Sequence, residues 1–159
     1  MKKYELLVDD TITFFGVQLF RIKALISFSG IEKGEVGGYI ASEKNLSQYG
    51  DAWVYGNAEV YGDAEVYGDA RVYGDAEVSG DAEVYGDADY IVFKNTWSSG
   101  RYFTYTKSNK KWRVGCFYGN GHELIEKAYK DSQKSGDFYK AYVEFVEKLE
   151  EIEKIHKEQ

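Results

Sequence analysis

The 159-residue sequence predicts a mainly β protein with C-terminal helices, and three observations carry that prediction. A six-residue repeat fills the middle of the chain, runs of alternating apolar and polar residues flank it, and a segment with helical spacing closes the chain. We therefore expect a three-coil parallel β-helix over residues 36–89, an N-terminal β-hairpin cap over residues 1–35, and a small α+β domain of three strands and two helices over residues 90–159.

The repeat is clearest from Trp53 to Ala88, as WVYGNA, EVYGDA, EVYGDA, RVYGDA, EVSGDA and EVYGDA. The position of its valines, such as Val54, continues back through Gln48 and Ser42 to Val36, which makes nine hexads, or three coils of eighteen residues. Alternation points Ala and Val inward, while Gly followed by Asp or Asn supplies each corner, because these residues tolerate the positive φ of a sharp turn.

Stacking every eighteenth residue predicts columns of side chains on the outer faces. We interpret the tyrosine columns as simple stacking or as a subunit interface. The corner aspartates are interpreted as turn-stabilising groups or as a ladder that binds cations or imitates nucleic acid. The predicted interaction face consists of Tyr49, Tyr67, Tyr85, Glu65, Glu83, Trp53 and Arg71.

Charge is distributed unevenly along the chain. Residues 36–89 carry a net charge of −10, whereas residues 90–121 carry +6 and contain no acidic residue. The overall charge of −7 argues against general affinity for nucleic acid or anionic membranes. We expect a cytoplasmic protein, because the sequence shows no signal peptide or membrane-length apolar run and has one cysteine, Cys116, which we place in the core.

The basic block contains three predicted strands, YIVFK, RYFTYT and KWRVGCF, whose basic and aromatic residues are interleaved. This composition is typical of surfaces that hold phosphates and stack bases. The alternative is a basic sheet that docks on the acidic repeats of its own or a neighbouring chain. The residues predicted to bind a ligand are Lys94, Trp97, Arg101, Tyr102, Tyr105, Lys111 and Arg113.

The C-terminal segment predicts two helices. Asn120 and Glu123 have the spacing of a capping box at the start of the first helix. The residues 135–137, Ser-Gly-Asp, are expected to end that helix and cap the next. The second helix would then present a heptad-like seam, either to another subunit or to the three-stranded sheet, formed by Phe138, Tyr142, Phe145, Leu149 and Ile152.

Two resemblances follow from these motifs. The hexads resemble the repeat of left-handed β-helix proteins of the acyltransferase-like family, and that likeness implies a left-handed coil and a homotrimer. A dimer through the C-terminal helix is the alternative. The first 90 residues also look like uncharacterised phage and prophage proteins, through the segments Leu19–Ile22, Gly37–Ile40, Glu43–Ser47 and Trp53–Gly56.

Catalysis is not expected. Acyltransferases of the resembled family use a histidine as general base, but this chain's histidines, His122 and His156, lie in the predicted helical segment. The spacing of residues shows no metal-ligand cluster, and a regular carboxylate ladder is expected to desolvate no carboxylate in particular. We expect no cofactor and no metal.

The sequence leaves three functional hypotheses. The first is a phage-encoded, oligomeric binding protein that counters host defence by sequestering a nucleotide signal or by binding a host component. The second is an acidic scaffold that docks a protein partner, with nucleic-acid mimicry as one form of it. The third is a hexapeptide-repeat acyltransferase.

Overall fold

The computed structural model describes residues 1–14 and 16–157, and the chain divides into two compact units, Met1–Cys116 and Phe117–Gln159. The described strands of the first unit are β1 (Tyr4–Phe14), β2 (Val17–Ala24), β3 (Val36–Ile40), β4 (Trp53–Val54), β5 (Glu59–Val60), β6 (Glu65–Val66), β7 (Arg71–Val72), β8 (Glu77–Val78), β9 (Glu83–Val84), β10 (Tyr90–Lys94), β11 (Tyr102–Thr106) and β12 (Lys111–Val114). The second unit contains β13 (Phe117–Gly119), α1 (Gly121–Asp131) and α2 (Gln133–Lys157).

The predicted three-coil parallel β-helix is wrong, because the strands form several small sheets of mixed direction. β3 pairs antiparallel with β2 and parallel with β5, so the largest sheet, in the order β1-β2-β3-β5-β8, is mixed. The pairs β4–β7 and β6–β9 form separate two-stranded sheets. Each hexad supplies only two extended residues before a glycine, such as Gly62 with φ 67°, turns the chain, so the strands stay short.

The predicted register is also wrong before Trp53. From there on, strands eighteen residues apart pair in parallel, as Val54 with Val72 does. Earlier in the chain the offset is twenty residues, because Ile40 pairs with Val60 and Leu46 bridges to Val66. Ile40 and Leu46 thus take the inward position that the sequence assigned to Val36, Ser42 and Gln48, and Val36 is 47% exposed. Burying Ile or Leu removes more apolar surface from water than burying Ser or Gln would.

The change of offset is absorbed at residues 47–49, which we call the Tyr49 bulge. The Ser47 N–H donates to the Val66 carbonyl, and the Asp51 N–H donates to the Gly68 carbonyl, so the bulged segment is two residues longer than its partner. Tyr49 lies in the extra length and is 85% exposed. The eighteen-residue spacing predicted that Tyr49 stacks in register on Tyr67, and this prediction is wrong.

The inward direction of Ala and Val in the hexads is confirmed between Ala52 and Val84 but not at the two ends, where Val36 and Ala88 are exposed. The alanines from Ala52 to Ala82 and the valines from Val54 to Val84 are all buried in one apolar cluster. Tyr4, Ile22 and Ile31 extend this cluster towards the N-terminal strands. The part of the core that the hexads supply is therefore thin and built from small side chains.

Side-chain oxygens cap the outer edge of β8 and β9. Thr104 Oγ1 accepts a hydrogen bond from the Glu77 N–H at 2.9 Å, and Ser108 Oγ accepts one from the Glu83 N–H at 2.8 Å. An uncovered strand edge offers unpaired N–H groups to other chains. These acceptors therefore protect the hexad segment, residues 36–89, against edge-to-edge association.

The strands β10, β11 and β12 are successive antiparallel neighbours within the first unit. Trp112 and Val114 on β12 are buried. The placement of Cys116 in the core is wrong, since Cys116 is exposed. β12 ends at Val114, and Gly115 with φ 56° turns the chain before Cys116 can continue the strand alternation.

In the second unit, the predicted start of α1 is confirmed. The Glu123 N–H donates to Asn120 Oδ1 at 2.9 Å, and the Asn120 N–H donates to Glu123 Oε1 at 3.0 Å. The predicted helix break at 135–137 is wrong, because α1 ends at Asp131 and α2 begins at Gln133. A Cβ on Gly136 would overlap the Tyr129 ring, so this glycine permits close helix packing rather than ending a helix.

The buried stripe of α2 also differs from the predicted seam. Tyr139, Val143 and Val146 are buried, whereas Phe138 and Phe145 of the seam are exposed. The buried stripe of α2 begins at Gly136, which packs against Tyr129 of α1, and continues through Tyr139, Val143 and Val146. Neither described helix is long and apolar enough to cross a membrane.

Candidate functional site

Of the three aromatic residues predicted to stack on a ligand, Tyr105 and Trp97 pack against other rings of the β10–β12 region, and Tyr102 is exposed. Tyr105 is 3% exposed, and its ring centroid lies 4.9 Å from that of Trp112. Phe103 makes tilted ring contacts with Phe93 and Trp112 at centroid distances of 5.5 and 6.1 Å, and Phe93 stacks on Trp112 at 6.1 Å. The β10–β12 sheet thus uses these rings as its own core.

The other residues predicted to bind a ligand make separate contacts and do not converge on one another, apart from Lys94 and Tyr102. Lys94 Nζ lies 5.4 Å from the centre of the exposed Tyr102 ring, and the Trp97 ring contacts Phe103 edge-on. The Arg101 guanidinium lies against Gly115, where a side chain would collide with it. Lys111 is half-buried at the start of β12.

Arg113 belongs to a contact between the sheet and the hexad segment of the same chain. Its Nε donates to Ser79 Oγ at 3.0 Å, and its guanidinium carbon lies 5.5 Å from the centre of the Tyr61 ring. This geometry matches the alternative in which the basic sheet docks on its own acidic repeats. Arg113 is therefore engaged within the chain.

Beside Arg113, two glutamates that the eighteen-residue spacing aligns form a partly desolvated pair, and the expectation that no carboxylate is desolvated in particular is wrong. Glu59 and Glu77 are in-register partners on β5 and β8. Burial, and then the charge of Glu59, raise the pKa of Glu77 to about 7, while Arg113 and Arg101 act in the opposite direction. Burial and then Asp75 raise the pKa of Glu59, whose Oε2 is buried without a hydrogen-bond partner among the described residues.

One signal could have located this pair. Among the hexads from Trp53 to Ala88, EVSGDA is the repeat that carries serine in place of tyrosine, at Ser79. The small side chain leaves room for Arg113 and so brings the β10–β12 sheet over β8. A break in a regular repeat marks the place where another element packs.

The predicted interaction face is partly present as an exposed surface. Glu65 and Glu83 are exposed in-register partners on β6 and β9, and each is followed two residues later by a tyrosine that faces the same way. The rings of these tyrosines, Tyr67 and Tyr85, meet edge to face at 5.2 Å. We call this surface the tyrosine-carboxylate face; it consists of Tyr49, Tyr67, Tyr85, Glu65 and Glu83.

Two residues predicted for the same face lie elsewhere. Trp53 is 0% exposed and contacts Tyr4 and Phe28, so it is a core residue rather than a surface residue. Arg71 is exposed on β7, where it pairs with Trp53 of β4 and not with the strands of the face. The eighteen-residue offset that aligns Trp53 with Arg71 is correct, but the first residue of a hexad is not always outward.

The tyrosine-carboxylate face is electronegative. Within the described part of the chain, neither Glu65 nor Glu83 forms an ion pair, and nearby Lys44 is paired with Asp63 at 2.8 Å. Burial and then the carboxylates of Glu83, Asp89 and Glu65 raise the pKa of Tyr67. A cation near the Tyr67 ring would relieve this concentration of negative charge.

An open groove of about 490 Å³ adjoins the face at the Tyr49 bulge. Tyr49 lines it from residues 43–49, and Glu65 and Tyr67 line it from β6. The Tyr49 N–H donates to Ser47 Oγ at 3.0 Å, which holds the bulge in shape.

The remaining candidate groups do not assemble into a site in the structure. His122 is exposed at the start of α1 and lies 3.3 Å from Glu126, one helical turn away. His156 is exposed near the end of α2. Among residues 1–14 and 16–157, no three His, Cys, Asp or Glu side chains are grouped as metal ligands.

Comparison with known proteins adds neither a fold nor an activity: no protein-family model matches this sequence, and no curated protein is similar to it. The likenesses to hexapeptide-repeat acyltransferases and to phage proteins therefore stay predictions. The chemistry of the tyrosine-carboxylate face is the basis for a functional interpretation.

Proposed function

We propose that this chain is a non-catalytic binding protein, and that its tyrosine-carboxylate face docks a basic segment of a protein partner. One observation carries the proposal: the outward carboxylates of β6 and β9, Glu65 and Glu83, form no ion pair within the described residues, and each is followed two residues later by a tyrosine, the half-buried Tyr67 and the 60% exposed Tyr85. Tyr49, which is 85% exposed, extends this arrangement beside Tyr67. Arginine and lysine complement both features.

The energetic basis is a sum of small terms. A cation over an exposed tyrosine ring contributes about 0.5–1 kcal/mol, and an exposed ion pair contributes about 0.2–1 kcal/mol. Three tyrosines and two glutamates in one face can engage several basic side chains of one segment. Tyrosine also loses little conformational entropy on binding, because it has only two rotatable side-chain bonds.

Nucleotide sequestration stays a prediction with less support. Tyr105 is buried in the aromatic core of the sheet, and Arg113 is engaged by Ser79 and Tyr61. A nucleotide would have to use Lys94, Arg101 and Tyr102, without the buried ring that was expected to stack on its base. By contrast, docking of a basic segment on the tyrosine-carboxylate face does not depend on a ring that is buried in the sheet.

The phage origin, the cellular location and the assembly of the protein also remain predictions. A phage-encoded protein in the host cytoplasm would meet basic surfaces on host proteins that bind nucleic acid, and an acidic ladder is complementary to such surfaces. A homotrimer is the expected assembly from the family likeness. If the subunits used the tyrosine-carboxylate face for that assembly, the face would be unavailable to another partner.

The test is a binding titration with a defined basic probe. A fluorescein-labelled peptide of alternating arginine and serine is titrated with the full chain, and fluorescence anisotropy reports binding. We expect saturable binding that weakens with added salt and is lost when glutamate replaces arginine in the peptide.

Matched variants locate the binding. Tyr85→Ser weakens the complex, whereas Tyr73→Ser, which removes an exposed tyrosine just after β7 and outside the face, leaves it unchanged. Equal effects of the two substitutions, or no binding by the unmodified chain, would contradict the proposed function. Circular dichroism confirms that each variant is folded.

A further inference from the structure

We infer that the groove at the Tyr49 bulge receives one arginine side chain of the basic partner; this inference rests on the proposed function. The groove is the place where the face is concave. Its volume of about 490 Å³ lies within the range of small-ligand sites and holds an arginine side chain with part of its backbone.

Two aromatic rings line the groove. Tyr49 comes from the bulge and Tyr67 from the strand pair that the bulge overhangs. Between them the chain segments are joined by the bridge from Leu46 to Val66, whose side chains are buried in the core. The rings therefore stand on a rigid base, and the hydrogen bond from the Tyr49 N–H to Ser47 Oγ limits movement of the bulge.

The charges around the groove favour a cation. Glu43, Lys44 and Glu65 line it. Glu43 is paired with Lys2 at 2.7 Å, and Lys44 is paired with Asp63 at 2.8 Å, so these charges are locally compensated. Glu65 forms no ion pair within the described residues, and it stands two residues from Tyr67 on the same outward side of β6.

A tyrosine pair with one carboxylate suits guanidinium better than ammonium. The guanidinium group is planar, stacks on aromatic rings, and presents a fork of N–H donors that fits a carboxylate. Ammonium is a compact and strongly hydrated charge that gains less from lying between rings. Arginine is therefore the expected occupant, and lysine is the alternative that the experiment distinguishes.

The experiment compares two labelled peptides, one of alternating arginine and serine and one of alternating lysine and serine, against the full chain and four variants. Tyr49→Ser and Glu65→Gln alter the groove. Tyr85→Ser and Glu83→Gln alter the face beyond the groove, so we expect them to weaken the binding of both peptides to the same extent and thereby to report on the face without the groove's preference for arginine. We expect each groove variant to lower the affinity for the arginine peptide by about fivefold, which corresponds to the loss of one cation-ring or carboxylate contact. The affinity for the lysine peptide should fall by less than about twofold.

Each outcome decides between the proposals. If only Tyr85→Ser and Glu83→Gln weaken the arginine peptide, the groove is not an arginine site, but the face still binds a basic segment. If the groove variants lower the affinity for the two peptides equally, arginine is not the preferred occupant of the groove. Absence of binding to the unmodified chain overturns both proposals. Tyr49→Phe, which keeps the ring, should retain the affinity for the arginine peptide and so assigns the loss in Tyr49→Ser to the ring, while circular dichroism of Tyr49→Ser checks that this variant is folded.

Discussion

Glu59 and Glu77 are in-register partners on the parallel strands β5 and β8, and burial favours the protonated form of both, with the charge of Glu59 adding to the effect on Glu77. The pKa of Glu77 rises from 4.5 to about 7, and the pKa of Glu59 is also raised, first by burial and then by Asp75. Like charges directly opposite on neighbouring strands are unfavourable. This pair therefore links folding to pH.

The free energy of unfolding should fall as the pH rises from about 5 to about 8. Because the folded pKa of Glu77 is above its unfolded value, the folded chain binds more protons in this interval, and the stabilisation present below the unfolded pKa is lost as the pH passes about 7. Partial exposure reduces the effect to on the order of 2 kcal/mol. Urea unfolding at the two pH values measures it.

Glu77→Gln should flatten this pH dependence and raise stability at about pH 8, because the amide carries no charge to desolvate. Glu65→Gln, at the equivalent but exposed position of another hexad, is the control and should leave the slope unchanged. A slope that survives Glu77→Gln would place the titrating group elsewhere.

Thr104→Val should expose the edge of β8. The substitution keeps the shape of the side chain but removes the acceptor for the Glu77 N–H, which costs about 1–2 kcal/mol. Amide hydrogen exchange at Glu77 should become about tenfold faster. Thr96→Val, at an exposed position in a turn, is the control, and identical exchange in both variants would rule out this capping role.

Gly136→Ala should destabilise the second unit by about 2–4 kcal/mol, because the added methyl group overlaps the Tyr129 ring. The helical circular dichroism signal during urea unfolding measures the loss. The double variant Tyr129→Ala/Gly136→Ala should lose less than the sum of the single variants, since the smaller side chain removes the clash. Additive losses would show that the two positions do not interact.

The periodic part of the fold could be predicted from sequence, and its ends could not. Alternation within the hexads correctly gave the inward Ala and Val positions, because side-chain direction follows locally from strand geometry. The register before Trp53 failed, since Ile40 and Leu46 compete for the inward positions through pairing with residues twenty positions away. No local pattern reports that competition.

The candidate site could be predicted in outline only. The eighteen-residue spacing placed four residues of the face together, because in-register strands place equivalent residues side by side: Tyr67, Tyr85, Glu65 and Glu83. Burial of Trp53 and Tyr105 was missed, since exposure depends on which element covers a strand. The desolvation of Glu77 was missed for the same reason: it requires knowing that Thr104 and Arg113 pack over β8.

The most direct test of the central claim is to map where a basic peptide binds on the full chain. Aromatic and backbone nuclear magnetic resonance shifts are recorded during titration with the peptide of alternating arginine and serine. We predict saturable shifts at Tyr49, Tyr67 and Tyr85 and at the backbone of β6 and β9. Shifts confined to β10–β12, or spread evenly over the acidic surface without saturation, would contradict the account.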